Sequence, residues 1–280
     1  MRGKKSILLL ILLYSCLYSA AQLIYPVVGT YNGKSAQGMF IYKDLAYIMN
    51  DGGICRVLNL KTGTIISNFM LGCSSYNPHV NTVCLGNEKS LTTNKHYIYV
   101  SETRNKYRCF VEQITLDSSF LIQTIYAMYE REVLPIKNWV VDRKNSCIYG
   151  LVREYKKQNE KGEYLNILYK FRLPNVQEGD VVLTENDIYE KYNLYFVNGI
   201  QGAKIKKSYM YLVTGREETA QNRIDAKRSM YIIDLKNKKI KDVVDISNIS
   251  VNEPEDIDFY KNYILLYCGQ NGGIYKIKKM

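Results

Sequence analysis

The chain is poor in the residues on which most catalytic and metal chemistry depends: of 280 residues, two are His and one is Trp. Its seven Cys match no CxxC or zinc-ligand spacing, so neither a dithiol redox pair nor a zinc knuckle is encoded. No Pro-, Gly- or Ser-rich stretch and no long charge run divides it, which excludes a linker and makes one domain the default reading. Apolar runs long enough to span a bilayer, roughly 20 residues, are also missing. Basic residues outnumber acidic ones, giving a formal net charge of +11, yet no Lys/Arg run is interleaved with aromatics on one evident strand or helix. The excess therefore reads as a solvated basic surface, and nucleic acid is not an expected partner.

What the N-terminus does contain is an export signal. Arg2, Lys4 and Lys5 precede the apolar run Ile7 to Leu13, and the small residues Ser19, Ala20 and Ala21 follow before Gln22. That order predicts a signal peptide over residues 1–21 and a mature domain over 22–280 in the periplasm or at the cell surface. A second cut is open at Leu13-Tyr14-Ser15-Cys16, which has the form of a lipoprotein box and would attach the chain to a membrane through Cys16. Loss of 1–21 removes three cations and no anion, lowering the formal charge to +8. Cys55, Cys73, Cys84, Cys109, Cys147 and Cys268 remain, most of them inside apolar strand-like runs, and read as small buried side chains.

Short alternating segments rich in Tyr, Ile and Val recur between Gly, Asn, Asp and Lys clusters, which places the chain in the all-β class. An aromatic-aliphatic strand centre returns as Ala46-Tyr47-Ile48, Ile98-Tyr99-Val100, Ile148-Tyr149-Gly150, Met210-Tyr211-Leu212 and Ile264-Leu265-Leu266. The spacing, roughly 50 to 60 residues, is near that of propeller blades, and further strands follow most of these landmarks. The expectation is a β-propeller of five four-stranded blades. The last unit has only three strands, so the spare segment Leu23 to Tyr31 is expected to close the ring beside Gly273 to Ile277. Six blades are the alternative, if the stretch from Asp180 to Phe196 forms more than one strand.

In a propeller the inner strands begin at one mouth of the central channel, so equal repeat positions converge there. Counting ten residues back from each landmark gives Gln37, Trp139, Gln201 and Glu255; in the second unit an insertion shifts the start to His79-Val80-Asn81. Gln37, His79, Asn81, Gln201, Glu253 and Glu255, with Trp139 as a stacking wall, form the candidate ligand-binding set. The mix suits a small polar ligand, a glycan or a peptide. Paired bonding of these groups to neighbouring backbone is the competing structural role. The carboxylates of Asn252-Glu253-Pro254-Glu255-Asp256-Ile257-Asp258 raise Ca²⁺ binding and glycoside hydrolysis as further options, but no second carboxylate opens the first or fourth unit.

Laid out in this way, Ala36-Gln37-Gly38, Pro78-His79-Val80-Asn81, Ile200-Gln201-Gly202 and Glu253-Pro254-Glu255-Asp256 each open a blade. In these motifs the chain resembles a family of exported, uncharacterised bacterial propellers related to six-bladed NHL-type and glutaminyl-cyclase-like propellers. Arg56-Val57-Leu58 and Thr62-Gly63 also match the cyclase pattern, whereas the catalytic Glu of that family has no counterpart in Tyr47-Ile48-Met49-Asn50. The reading that results is a monomeric, non-catalytic binding or scaffold propeller of the cell envelope. A hydrolase or transferase acting on glycans or peptides is the alternative.

Overall fold

Alternation of apolar and polar residues with β-branched and aromatic centres makes each run a strand with one face to bury, and the short turns between runs force antiparallel neighbours. The computed structural model shows this outcome within every blade; it describes residues 22–25, 30–197, 199–215, 227–250, 252–269 and 272–278. The candidate signal segment and Cys16 lie outside the described residues. Strand β1 (Gln22–Tyr25) is followed by blade one: β2 (Ala36–Tyr42), β3 (Leu45–Asn50), β4 (Ile54–Asn59) and β5 (Thr64–Met70). Blade two holds β6 (Val80–Lys89), β7 (His96–Glu102), β8 (Cys109–Ile114) and β9 (Ser119–Tyr129), with the short β10 (Glu132–Val133) on its edge. Blade three holds β11 (Asn138–Asp142), β12 (Cys147–Gln158), β13 (Tyr164–Arg172) and, after the short β14 (Val181–Leu183), β15 (Ile188–Phe196). Blade four is β16 (Ile200–Lys206), β17 (Tyr209–Thr214), β18 (Ser229–Asp234) and β19 (Lys239–Asp245). Blade five is β20 (Pro254–Tyr260), β21 (Tyr263–Cys268) and β22 (Gly273–Lys278), completed by β1.

Closure by the N-terminal strand is as expected. Gln22 pairs with Lys276, Leu23 with Tyr275 and Tyr25 with Ile274, so the two ends of the chain share one sheet. The Tyr25 hydroxyl donates to the Leu60 carbonyl of blade one, fastening the closing strand to the first blade as well as the last. The remainder of the segment assigned to this strand, residues 26–29, lies outside the described residues.

The ring has five blades, and the six-bladed alternative is corrected by the fate of residues 180–196. Only β15 from this stretch joins blade three, while β14 crosses to blade two and pairs in parallel with Ile125 to Ala127 of β9. An insertion in one blade thus laces it to its neighbour.

The core is divided in the way a propeller requires. Five buried apolar clusters each lie between adjacent blades: Tyr47 and Phe110 between one and two, Trp139 and Tyr99 between two and three, Tyr149 and Leu212 between three and four, Val213 and Leu266 between four and five, and Ile48 and Leu265 between five and one. The fifth cluster, to which Ile24 and Tyr25 contribute, exists only because the ring closes. The six remaining Cys are all buried and free, as small core residues. Burial pushes their thiols up, Cys84 and Cys147 to about 11.

Candidate functional site

The inner strands do not run straight into the mouth. In four blades the register slips at the first residues: between Ala36 and Met39, Val80 and Val83, Ile200 and Gly202, and Pro254 and Asp256. A bulge leaves a residue out of the ladder and re-aims its side chain. The residues inside these bulges include Gln37, Asn81, Gln201 and Glu255, four of the residues singled out from the repeat. Their backbones meet at close range. A methyl group on Gly38 would stand 2.1 Å from the Asn81 carbonyl oxygen, and one on Gly202 would stand 2.7 Å from that of Glu255. Glycine at these two positions is what lets the inner strands converge.

Just below the bulges the channel is filled. Lys204 of blade four, 5% exposed, places its Nζ 2.7 Å from Asp256 Oδ2 of blade five, which is 0% exposed. The same carboxylate accepts the backbone N–H groups of Met39 in blade one (2.9 Å) and Val83 in blade two (3.3 Å). Thr82 and Asn138 complete the layer: Asn138 donates to Thr82 Oγ1 at 2.8 Å and to the Gln201 carbonyl at 3.1 Å, while Thr82 Oγ1 accepts from the Ala203 N–H at 3.1 Å. The ion pair and the bonds to its carboxylate therefore tie four inner strands together, and the Asn138 side chain joins the fifth through Thr82 and Gln201. Burial pushes Asp256 up to about 6, against the pull of Lys204 and the backbone donors, which leaves it ionised at neutral pH.

Above this plug the mouth is polar and uneven. On the side of blades one and two a cavity of about 420 Å³ is lined by Lys34, Asp51, Gly52, Asn77, His79 and Arg104 among others. His79 Nδ1 lies 2.6 Å from Asp51 Oδ1, joining the loop before β6 to the turn after β3. Gly52, at φ 77°, turns the chain under the Lys34 side chain, and its N–H donates to the Pro78 carbonyl. Neither Lys34 nor Arg104 forms an ion pair among the described residues. On the side of blades four and five, Gln201 Nε2 donates to Glu253 Oε1 at 2.7 Å. Glu255, 8% exposed, has its Oε1 against Gly269, where a methyl group would approach to 2.1 Å. Burial holds the Glu255 carboxyl well above the usual range, and the negative charges of Glu253, Asp51 and Asp256 add to the effect.

The set read from the repeat therefore divides. Gln37 and Asn81 are buried at the bulges with Oε1 and Oδ1 unpaired, Gln201 and Glu253 pair with each other, and His79 is held by Asp51. Trp139 stands apart. It is 0% exposed, tilted against Phe171 at 5.9 Å in the core between blades two and three, and its indole N–H donates to the Tyr107 carbonyl. The reason is a hairpin length. Blade three turns from inner to second strand through Arg143 to Ser146, two residues more than the Lys43-Asp44 turn of blade one, so the ten-residue count stops two residues short of the mouth. Blade three also lacks the bulge, and Lys137 and Asn138 occupy its mouth positions.

Sequence reasoning missed Asp51, Lys34 and Arg104, all on loops beside the inner strands rather than at their starts. The Asn50-Asp51-Gly52-Gly53 turn was the available signal for Asp51, which supplies a carboxylate from blade one to face Glu255 of blade five. Among the described residues no group of three or more His, Cys, Asp or Glu is arranged to hold a metal ion, so the Glu253 to Asp258 segment offers Ca²⁺ no assembled cage. No protein-family model matches the chain, and no curated protein matches it at a significant level.

Proposed function

We propose that this chain is a ligand-binding propeller of the cell envelope that takes a small polar ligand at the mouth of its plugged channel. The polar cavity between blades one and two carries the reading. It has the volume of a small-molecule site, its walls come from loops on a rigid ring, and Lys34 and Arg104 bring donors not spent on ion pairs among the described residues. The amide oxygens of Gln37 and Asn81, at the bulges where the inner strands begin, are buried without a hydrogen-bond partner. Export is supported by the order of charges and apolar residues in 1–21, and the blade-opening motifs favour kinship with exported NHL-type and cyclase-like propellers, with one blade fewer.

The test is a thermal-shift screen of the purified mature chain against sugars, sugar acids, short peptides and divalent ions. A ligand that binds only the folded ring raises the midpoint by an amount that grows with the logarithm of its concentration over Kd. The reading expects a hit whose effect is lost in His79→Ala with the unliganded midpoint little changed. A hit indifferent to His79, Lys34 and Arg104 places binding elsewhere and defeats the proposal.

One observation favours a second reading, hydrolysis. Burial and the negative charges of Glu253, Asp51 and Asp256 raise the Glu255 carboxyl well above its usual range, and a buried carboxyl raised in this way beside other carboxylates is the pattern of a general acid. Release of reducing ends from a glycan that disappears in Glu255→Gln would establish it, and unchanged release would dismiss it.

A further inference from the structure

A second cavity, about 610 Å³, lies over blade two and shares Asn105 with the mouth cavity. Tyr76, Tyr107 and Tyr126 line it together with Lys106, Arg108 and Asp180. Nearly everything that builds it departs from the plain blade repeat. The short 3-10 helix Gly72–Tyr76 carries Tyr76, and the buried Glu112 fixes it by accepting the N–H groups of Gly72 (2.9 Å) and Cys73 (2.7 Å). The turn between β7 and β8 carries Asn105 and Tyr107, at φ 64° and 56°. Strand β10 contributes Val133, and the loop before β14 brings Asp180 from blade three. Added segments in repeat folds gather on the binding face, and side chains held at left-handed backbone positions persist only where their surroundings fix them.

The side chains are set in place before any ligand arrives. Arg108 is gripped by Glu102 through two 2.8 Å bonds and lies over the Tyr76 ring at 4.4 Å, and Tyr76 stacks on Phe110. Tyr76 nonetheless remains 44% exposed. The floor is equally committed: β9 gives its edge to β14 at Ile125–Ala127 and to β10 at Met128 and Tyr129, and the Thr124 N–H is taken by Asp180 at 2.7 Å. Little strand edge is left for an extended peptide to join, the usual source of affinity in strand addition. What faces the groove is ring surface with hydroxyl, amide and charged groups at its rim, the complement of a pyranose. At its inner end the groove opens past Asn105 to Arg104 and Lys34, cations that form no ion pair among the described residues.

We propose that the two cavities form one extended site for an acidic oligosaccharide, with a carboxylate-bearing sugar at Lys34 and Arg104 and following units laid along Tyr107 and Tyr126. This rests on the mouth as a binding site and adds its ligand class and a second subsite. The chain's one Trp provides a reporter, because the Trp139 indole N–H bonds to the Tyr107 carbonyl in the wall of the groove.

The experiment titrates the mature chain with tetragalacturonate, galacturonate, cellotetraose and tetraglutamate, following Trp139 fluorescence and calorimetric heat. Tetragalacturonate should bind at least about tenfold more tightly than galacturonate, and it alone of the two sugar acids should shift the Trp139 emission. Tyr126→Ala should remove about tenfold of the tetramer's affinity and leave the monomer's unchanged, Tyr126→Phe should retain it, and Arg104→Ala should weaken both acids. Equal affinity for monomer and tetramer, indifference to Tyr126→Ala in a variant of unchanged midpoint, binding of cellotetraose as tight as the acid, or Tyr126-dependent binding of tetraglutamate each overturns the inference. So does absence of binding by either acid. The mouth reading fails separately, when no compound of any class protects the fold through His79, Lys34 or Arg104.

Discussion

Replacing Lys204 by Met leaves a carboxylate at the centre of the ring without its counter-ion, and the consequence has a definite pH signature. Asp256 is fully buried and, in the intact pair, its pKa is raised from 3.8 to about 6. Between those two values the folded state binds the proton more tightly than the unfolded chain, so stability falls as pH rises, and above about 6 the contribution levels off. Without the ammonium group, Asp256 keeps only the N–H donors of Met39, Val83 and Ile257, and its pKa climbs further. The fall then continues above pH 6 at about 1.4 kcal/mol per pH unit. Breaking a buried pair from one side costs about 3–5 kcal/mol at neutral pH. The gap between wild type and Lys204→Met should therefore be level from pH 4 to 6 and widen by about 3 kcal/mol from pH 6 to 8. Urea unfolding at pH 5, 6, 7 and 8 measures it. A gap that stays level or narrows above pH 6 refutes the assignment of Lys204 as the group that keeps Asp256 ionised. Adding Asp256→Asn should remove the extra slope.

Two further outcomes follow from the same geometry. Glu255, raised well above 4.5 by burial, has stability that is complete below its unfolded value and is lost as pH rises through its folded one; Glu255→Gln should flatten that decline and be at least as stable as wild type at pH 7, as thermal melts across pH will report. Removing residues 22–25 strips Ile24 and Tyr25 from the cluster between blades five and one and exposes β22 as an edge, which should cost about 2–4 kcal/mol in chemical unfolding, whereas a change within about 0.5 kcal/mol would mean that the ring does not depend on its N-terminal strand.

Much of this architecture was legible because a propeller repeats one instruction. Tyr47, Tyr99, Tyr149, Tyr211 and Leu265 each sit at the centre of a second strand, and all five are buried or half-buried against a neighbouring blade. The alternation around them encodes a strand that needs a partner, and the spare strand at Gln22–Tyr25 is explained by the three-stranded last unit. The polar starts at Gln37, Asn81, Gln201 and Glu255 were legible for the same reason. Trp139 was misplaced because the count assumes equal hairpins, and turn length is set by residues such as Asp142 and Asn145, whose side chains bond within the longer turn. Composition does not announce which Asp-Arg-Lys-Asn run will make two extra residues. The plug was also hidden: Lys204 reads as a solvated strand lysine, and only the arrival of Asp256 from the next blade gives it a reason to be buried.

The two kinds of residue have separate physical roles. Those that follow the repeat bring five inner strands so close that glycines are needed at 38 and 202, and the space left over is taken by one ion pair and a few hydrogen bonds. A channel closed in this way carries nothing through it, so any ligand must be met at the mouth. There the symmetry is broken by charge. Carboxyls crowd the side of blades four and five, where Glu253 lies beside Glu255, while the side of blades one and two presents Lys34 and Arg104 and covers its one carboxylate, Asp51, with His79. The proposed anionic ligand fits the second side, and the added segments of blade two stand directly beyond. The proposed binding face is thus where the sequence stops repeating.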